Sequence, residues 1–174
     1  MKKKVKTKSR FAKNSNLENQ IISDRFGRTF NYLRLAVNEM CNLRCIYCMP
    51  EDGIDFKSKD KILRKSEIFK LVQITSELGV SKIRFTGGEP LLRKDILDII
   101  KYTKSISTIK SVHLTTNGIL LSSLLNQLEA IGLDGINISI DTLNREKYKI
   151  ISRRDSLNQV IDSLKKAMAN NILK

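Results

Sequence analysis

Cys41, Cys45 and Cys48 stand within eight residues in the stretch EMCNLRCIYCMPEDG, and they are the only cysteines of the chain. Thiolates are soft ligands, and CxxxCxxC spacing lets three of them close on one metal centre. Zinc, an iron–sulfur cluster, a disulfide with one thiol left over, and plain buried thiols are all open to such a trio. No apolar core of a secretory signal follows the basic N-terminus, which argues against the disulfide. Structural zinc wants four protein ligands, and the single histidine, His113, falls in the middle of a strand-like run, an awkward place from which to complete a zinc site. A [4Fe–4S] cubane held by three cysteines leaves one iron free for an exogenous ligand, a reason to omit a fourth thiol. Gly87-Gly88-Glu89, just after the next strand-like run, tips the balance towards the cluster.

The elements that must position these residues are legible as alternating patterns. Four β-like runs recur, at Tyr32–Val37, Lys82–Thr86, Ser111–Thr115 and Ile136–Ile140. Each is followed by apolar residues at helical spacing, near Lys65–Leu78, Asp95–Thr103, Ser122–Ile131 and Asp155–Ala169. Gly79, Gly132 and Asn170–Asn171 sit where helix ends are expected. Strands alternating with helices predict βαβ units and a parallel sheet. The strands are not continuously apolar, however. Leu33, Leu35 and Val37 alternate with Arg34 and Ala36; Ile83 and Phe85 with Arg84 and Thr86; Val112 and Leu114 with His113 and Thr115; Ile136, Ile138 and Ile140 with Asn137, Ser139 and Asp141. Period two sends each set to one side of the sheet. Solvent-facing parallel sheets are uncommon, so the expectation is an open barrel whose polar interior holds a charged ligand. The loops after the strands, beginning at Asn38, Gly87, Thr116 and Asp141, lie at strand C-terminal ends, where α/β barrels build their sites.

Length and charge set the outer bounds. With 174 residues, 41% hydrophobic content and two prolines, the chain can build one core, and no apolar stretch approaches the roughly 20 residues of a membrane span. No membrane partner is expected, and the location expected is the cytoplasm. Seven of the +14 net charges, from Lys2 to Lys13, precede the first acid, Glu18. That reads as a solvated, disordered basic tail over residues 1–18, and the remainder suits a nucleotide as well as a nucleic acid.

CNLRCIYC with TGGEP resembles the radical S-adenosylmethionine (SAM) superfamily. DRFGRTFNYLRL, CIYCMPEDG, RFTGGEPLLR, TTNGILL and NISIDTLN, in order, are similar more narrowly to the GTP 3′,8-cyclase family of molybdenum cofactor (molybdopterin) biosynthesis. AVNEMCN departs from the Ser/Thr-Asp-Arg-type run that this family shows before its first cysteine. The resemblance implies a partial (β/α) barrel of the radical SAM type over residues 19–174, with about four βα units and the C-terminal part missing. It implies that Cys41, Cys45 and Cys48 hold a [4Fe–4S] cluster. Tyr47, Gly88 and Ser139 would contact S-adenosyl-L-methionine, and Arg34, Arg84 and Thr115 would contact GTP. Glu89 could receive the cofactor's ammonium, or else be a surface carboxylate. The arginines could instead pair with Asp141 or Glu89, Asp95 reads as a helix N-terminal carboxylate, and His113 as a hydrogen-bonded interior histidine.

The implied reaction is that of a lyase: an external electron donor reduces the cluster, S-adenosylmethionine is split, and GTP becomes (8S)-3′,8-cyclo-7,8-dihydroguanosine 5′-triphosphate. The family carries a second three-cysteine cluster further on, whereas here no cysteine follows Cys48. The expectation is therefore a fragment, completed by a partner chain or by homo-oligomerisation. Two alternatives predict different behaviour: another radical SAM enzyme, indifferent to GTP, or a basic, zinc-containing nucleic-acid module with strongly salt-dependent affinity.

Overall fold

The computed structural model describes residues 21–55 and 62–169. β1 (Tyr32–Ala36), β2 (Lys82–Thr86), β3 (Ser111–Thr116) and β4 (Gly135–Ile138) form one parallel sheet in the order β1-β2-β3-β4. α1 (Lys65–Glu77), α2 (Ile96–Ser105) and α3 (Leu121–Ile131) connect them, and α4 (Arg145–Ser152) and α5 (Leu157–Ala169) follow β4. A 3₁₀ turn at Pro90–Leu92 lies between β2 and α2. The expected α/β class and its four strand–helix units are present. No helix among the described residues is long and apolar enough to cross a membrane.

Period two decides which face of the sheet is dry. Ile83, Phe85, Val112 and Leu114 are fully buried and meet Ile68 and Val72 of α1, Ile99 and Ile100 of α2, and Leu121 and Leu128 of α3 in one core. Each such side chain removed from water contributes about 1.5–3 kcal/mol. A second cluster under the last two helices gathers Tyr148, Leu157 and Val160. Helix ends follow local chemistry. Glu67 reaches back to accept the Arg64 N–H at 2.7 Å, α3 stops at Gly132 in the left-handed region (φ 77°), and the Asn144 side chain caps α4 by accepting from the Lys147 N–H.

Two sequence expectations need correction. β4 runs over Gly135–Ile138, one residue earlier at its start and two shorter at its end than the alternation suggested, because after the Ser139 N–H bonds the Thr116 carbonyl the chain turns into the Asp141 loop. α4 was not expected at all: its mean composition is polar, with Tyr148 and Ser152 its only buried residues, so no apolar stripe announces it. The expected basic tail and the Asn170–Asn171 helix end lie outside the described residues.

The opposite face of the sheet carries polar residues in register. Arg34 pairs with Arg84, Arg84 with His113, and His113 with Gly135, so one row crosses all four strands. One step towards the strand ends, Thr115 pairs with Asn137. Arg34 and Asn137, on the edge strands, are exposed, whereas Arg84, His113 and Thr115 in the middle are half-buried.

Candidate functional site

The cysteine loop leaves β1 and runs along the turn that follows β2. Val37 N–H bonds the Thr86 carbonyl, Gly88 N–H the Asn38 carbonyl and Glu89 N–H the Met40 carbonyl, while the Asn38 amide donates to the Glu89 carbonyl at 3.0 Å. This approach explains both glycines. A Cβ at Gly87 (φ 142°) would stand 2.5 Å from the Asn38 carbonyl oxygen, and one at Gly88 would collide with the Met40 carbonyl. The bare backbone at Gly88 thus admits the chain's own cysteine loop, a contact the sequence did not reveal.

Within the loop all three thiols are free; Cys41 and Cys45 are half-buried and Cys48 is exposed. Leu43 is buried and its N–H points at Cys41 Sγ (3.4 Å), while the N–H groups of Cys48 and Met49 both bond the Cys45 carbonyl in a tight turn. Arg44 ties the front of the loop by donating to the carbonyls of Cys41 and Leu43, each at 2.8 Å. Burial pushes the Cys45 thiol up; a hydrogen bond from Tyr47 opposes this, and charge on Cys48 and Cys41 adds to it. Cys45 thus lies within reach of both other thiols, although among the described residues no three of His, Cys, Asp and Glu converge as a ready-made metal site. The donor set, three accessible free thiols on one backbone-anchored loop, fits an iron–sulfur cluster with an open coordination position.

Glu89 corrects the sequence reading. It is neither exposed nor open to an ammonium: its side chain is fully buried and accepts from Leu91 N–H (3.0 Å), the Thr116 hydroxyl (2.7 Å) and Asn117 N–H (2.7 Å). Burial pushes its carboxyl up, and those three donors pull the other way. The next link is Asn117, whose amide donates to Asn42 Oδ1 at 2.7 Å and lies 3.8 Å from Cys41 Sγ. One buried carboxylate thus joins the loops after β2 and β3, and Asn117 carries the connection to the first cysteine. Asn117 gives no sign of this in the sequence, because an Asn-Gly pair reads first as a turn, and Asn42 none beyond its place after Cys41.

On the polar face, the Arg84 Nε is buried and has no hydrogen-bond partner. Neither Arg34 nor Arg84 forms an ion pair among the described residues, so the pairing with Asp141 or Glu89 is not what is observed. The His113 imidazole makes no hydrogen bond among the described residues either, against expectation, although its backbone is paired in the sheet. Burial and the neighbouring cations Lys82 and Arg84 hold its imidazole below the usual range. The Asp95 carboxylate, at the N-cap of α2, is engaged by Arg93 (2.6 Å) rather than by the helix. Tyr47 is exposed and its hydroxyl donates to Asp141 at 2.9 Å, which joins the cysteine loop to the loop after β4. Ser139 stands exposed just beyond β4, its N–H on the Thr116 carbonyl.

Comparison with known proteins gives three results. Residues 35–174 match the profile described as the Radical SAM superfamily. Curated GTP 3′,8-cyclases include one from Clostridium botulinum, 49% identical over 146 residues, covering 84% of this chain and 46% of that protein, and one from Petrotoga mobilis, 45% identical, covering 83% and 45%. The chain thus spans about half the length of the curated relatives it matches. Among solved structures, Streptococcus suis SuiB bound to S-adenosylmethionine superposes with a TM-score of 0.66 at 19% identity, over 82% of this chain and 30% of that one.

Proposed function

This chain belongs to the radical SAM superfamily, and from that premise we propose that it carries the radical-generating part of a GTP 3′,8-cyclase of molybdenum cofactor biosynthesis. In this reading Cys41, Cys45 and Cys48 hold a [4Fe–4S] cluster, and Tyr47, Gly88 and Ser139 contact S-adenosylmethionine. Arg34, Arg84 and Thr115 contact GTP. An external electron donor supplies the reducing electron. When bound, the cluster and S-adenosylmethionine together supply the carbon-centred radical that removes a hydrogen atom from the ribose.

The chain's own residues bind and orient. Arg34 and Arg84 stand side by side on adjacent strands, and two guanidinium forks on one face suit the oxygens of a triphosphate. The observation that carries the reading is the Arg84 Nε, a buried donor without a hydrogen-bond partner on a half-buried side chain: leaving such a donor unsatisfied costs about 1–3 kcal/mol, which an oxygen of a bound nucleotide would offset. Thr115, on the next strand beyond His113 towards the loops, offers a hydroxyl on the same face. The Gly87-Gly88 turn keeps the cysteine loop in backbone contact with the sheet, so that cofactor and nucleotide sites share one edge. Superfamily membership favours this reading over a zinc-containing nucleic-acid module.

Anaerobic reconstitution with iron and sulfide tests the cluster: brown protein with about four irons per chain supports it, and colourless protein with zinc overturns it. Titration calorimetry with GTP tests the nucleotide. Arg84→Ala should weaken binding about tenfold or more, since a hydrogen bond to a charged group contributes ~1.5–3 kcal/mol. Unchanged affinity in both Arg34→Ala and Arg84→Ala would point to another radical SAM substrate.

A further inference from the structure

Arg153, directly after α4, is the one non-glycine residue with a positive φ (54°) among the described residues. A residue with a side chain rarely adopts that conformation, so something must hold it there. Its guanidinium Nη1 donates to the Met49 carbonyl at 2.9 Å and lies 3.3 Å from the Arg44 carbonyl. Those two residues bracket the second and third cysteines: Arg44 immediately precedes Cys45, and Met49 immediately follows Cys48.

The helix end works in the same direction. The Ser152 carbonyl accepts from Arg44 N–H (3.0 Å) and the Ile151 carbonyl from Ile46 N–H (2.9 Å), so the peptide groups on both sides of Cys45 are bonded to the last turn of α4. A helix leaves its final carbonyls without internal partners, and here the cysteine loop supplies them. The Ser152 hydroxyl, bonded to the Tyr148 and Arg154 carbonyls, secures the turn from below. Cys41 is anchored differently, through Asn117 and the Arg44 side chain.

We propose that Arg153 and the last turn of α4 form a positioning clamp that fixes the Cys45–Cys48 arm of the loop, and so sets the backbone from which these two thiols meet their metal centre. The metal part of this statement rests on the function proposed above. The clamp itself does not.

The test uses the full chain with Arg153→Gly, Arg153→Gln and Arg153→Lys. Glycine relieves the backbone conformation, so the thermal midpoint of Arg153→Gly holds or rises, which separates loss of the clamp from loss of the fold. In metal-free protein, alkylation by iodoacetamide followed by mass spectrometry should be roughly three- to tenfold faster at the half-buried Cys45 in the Gly and Gln variants, as expected for local opening, with Cys48, exposed already, as the fast reference. Cys41 should change less than about twofold, and Lys should restore part of the protection. After anaerobic reconstitution, the Gly variant should hold less iron and show shifted electron paramagnetic resonance g-values. Equal rates in all variants, or a parallel rise at all three cysteines with a falling thermal midpoint, overturns the clamp. If the unsubstituted chain takes up no iron but the alkylation pattern is as stated, the cluster reading falls and the clamp stands.

Discussion

Replacing Glu89 by Gln would turn an NH₂ group towards a donor in a pocket where all three partners of the carboxylate are themselves donors. One buried donor would be left without an acceptor, so Glu89→Gln should lose about 1–3 kcal/mol in chemical denaturation, although the shape is unchanged. A loss below that range would mean the node is looser than its geometry. His113 supplies the pH prediction. Its folded-state pKa lies below the ordinary 6.5, so the unfolded chain binds more protons in the window just below that value. Stability therefore rises as pH rises through this window and is lost on acidification below about pH 6.5. His113→Gln should flatten that part of the profile of denaturation midpoints, and an unchanged slope would assign the dependence to other groups. These two residues also mark how far residue type alone can be read. Cysteine spacing pointed to the superfamily that the match over residues 35–174 shows. Glu89 is not legible in this way, because a carboxylate beside a proline gives no sign of the Thr116 hydroxyl and Asn117 N–H brought to it by chain more than 20 residues away.

At the scale of elements, the row across the four strands contains a fitted pair. A Cβ on Gly135 would stand 2.8 Å from His113 Nδ1, so the imidazole of β3 occupies the space that a side chain on β4 would need. Gly135→Ala should cost about 1–3 kcal/mol in the presence of His113 and far less in a His113→Ala background, a non-additivity that a double-mutant cycle measures. Gly88→Ala is harsher, because the added methyl meets backbone of Glu39 and Met40, which cannot swing aside. It should detach the cysteine loop, seen as loss of iron uptake. Strands β1–β3 and helices α1–α3 were legible because period two and period 3.6 follow directly from burying one face. α4 was not, since it is held by its contacts with the cysteine loop and not by an apolar stripe, although Asn144 before Arg145-Glu146 was a readable cap signal. The placement of Arg34 and Arg84 on one face of the sheet followed from alternation alone. The unpartnered Nε did not, because it depends on what the two neighbouring strands fail to provide.

For the whole molecule, seven of the +14 net charges lie between Lys2 and Lys13, and the excess of positive charge on the rest means that the fold works against its own repulsion. Raising salt from about 10 to 200 mM, which shortens the screening length to under roughly 10 Å, should raise the thermal midpoint, and a flat response would show that the charges are already compensated locally. The strand order β1-β2-β3-β4 has a different implication. Each strand's earlier partner has already been synthesised when it emerges, so the sheet can be laid down during translation, one rung after another, without waiting for a distant segment. Ribosome-stalled chains of increasing length should then gain protease resistance in steps, and Cys41, Cys45 and Cys48 would leave the exit tunnel before the β2 turn that anchors them. For that interval the nascent thiols stand unguarded against oxidants, which makes the speed of the next strand's arrival a protective trait in its own right.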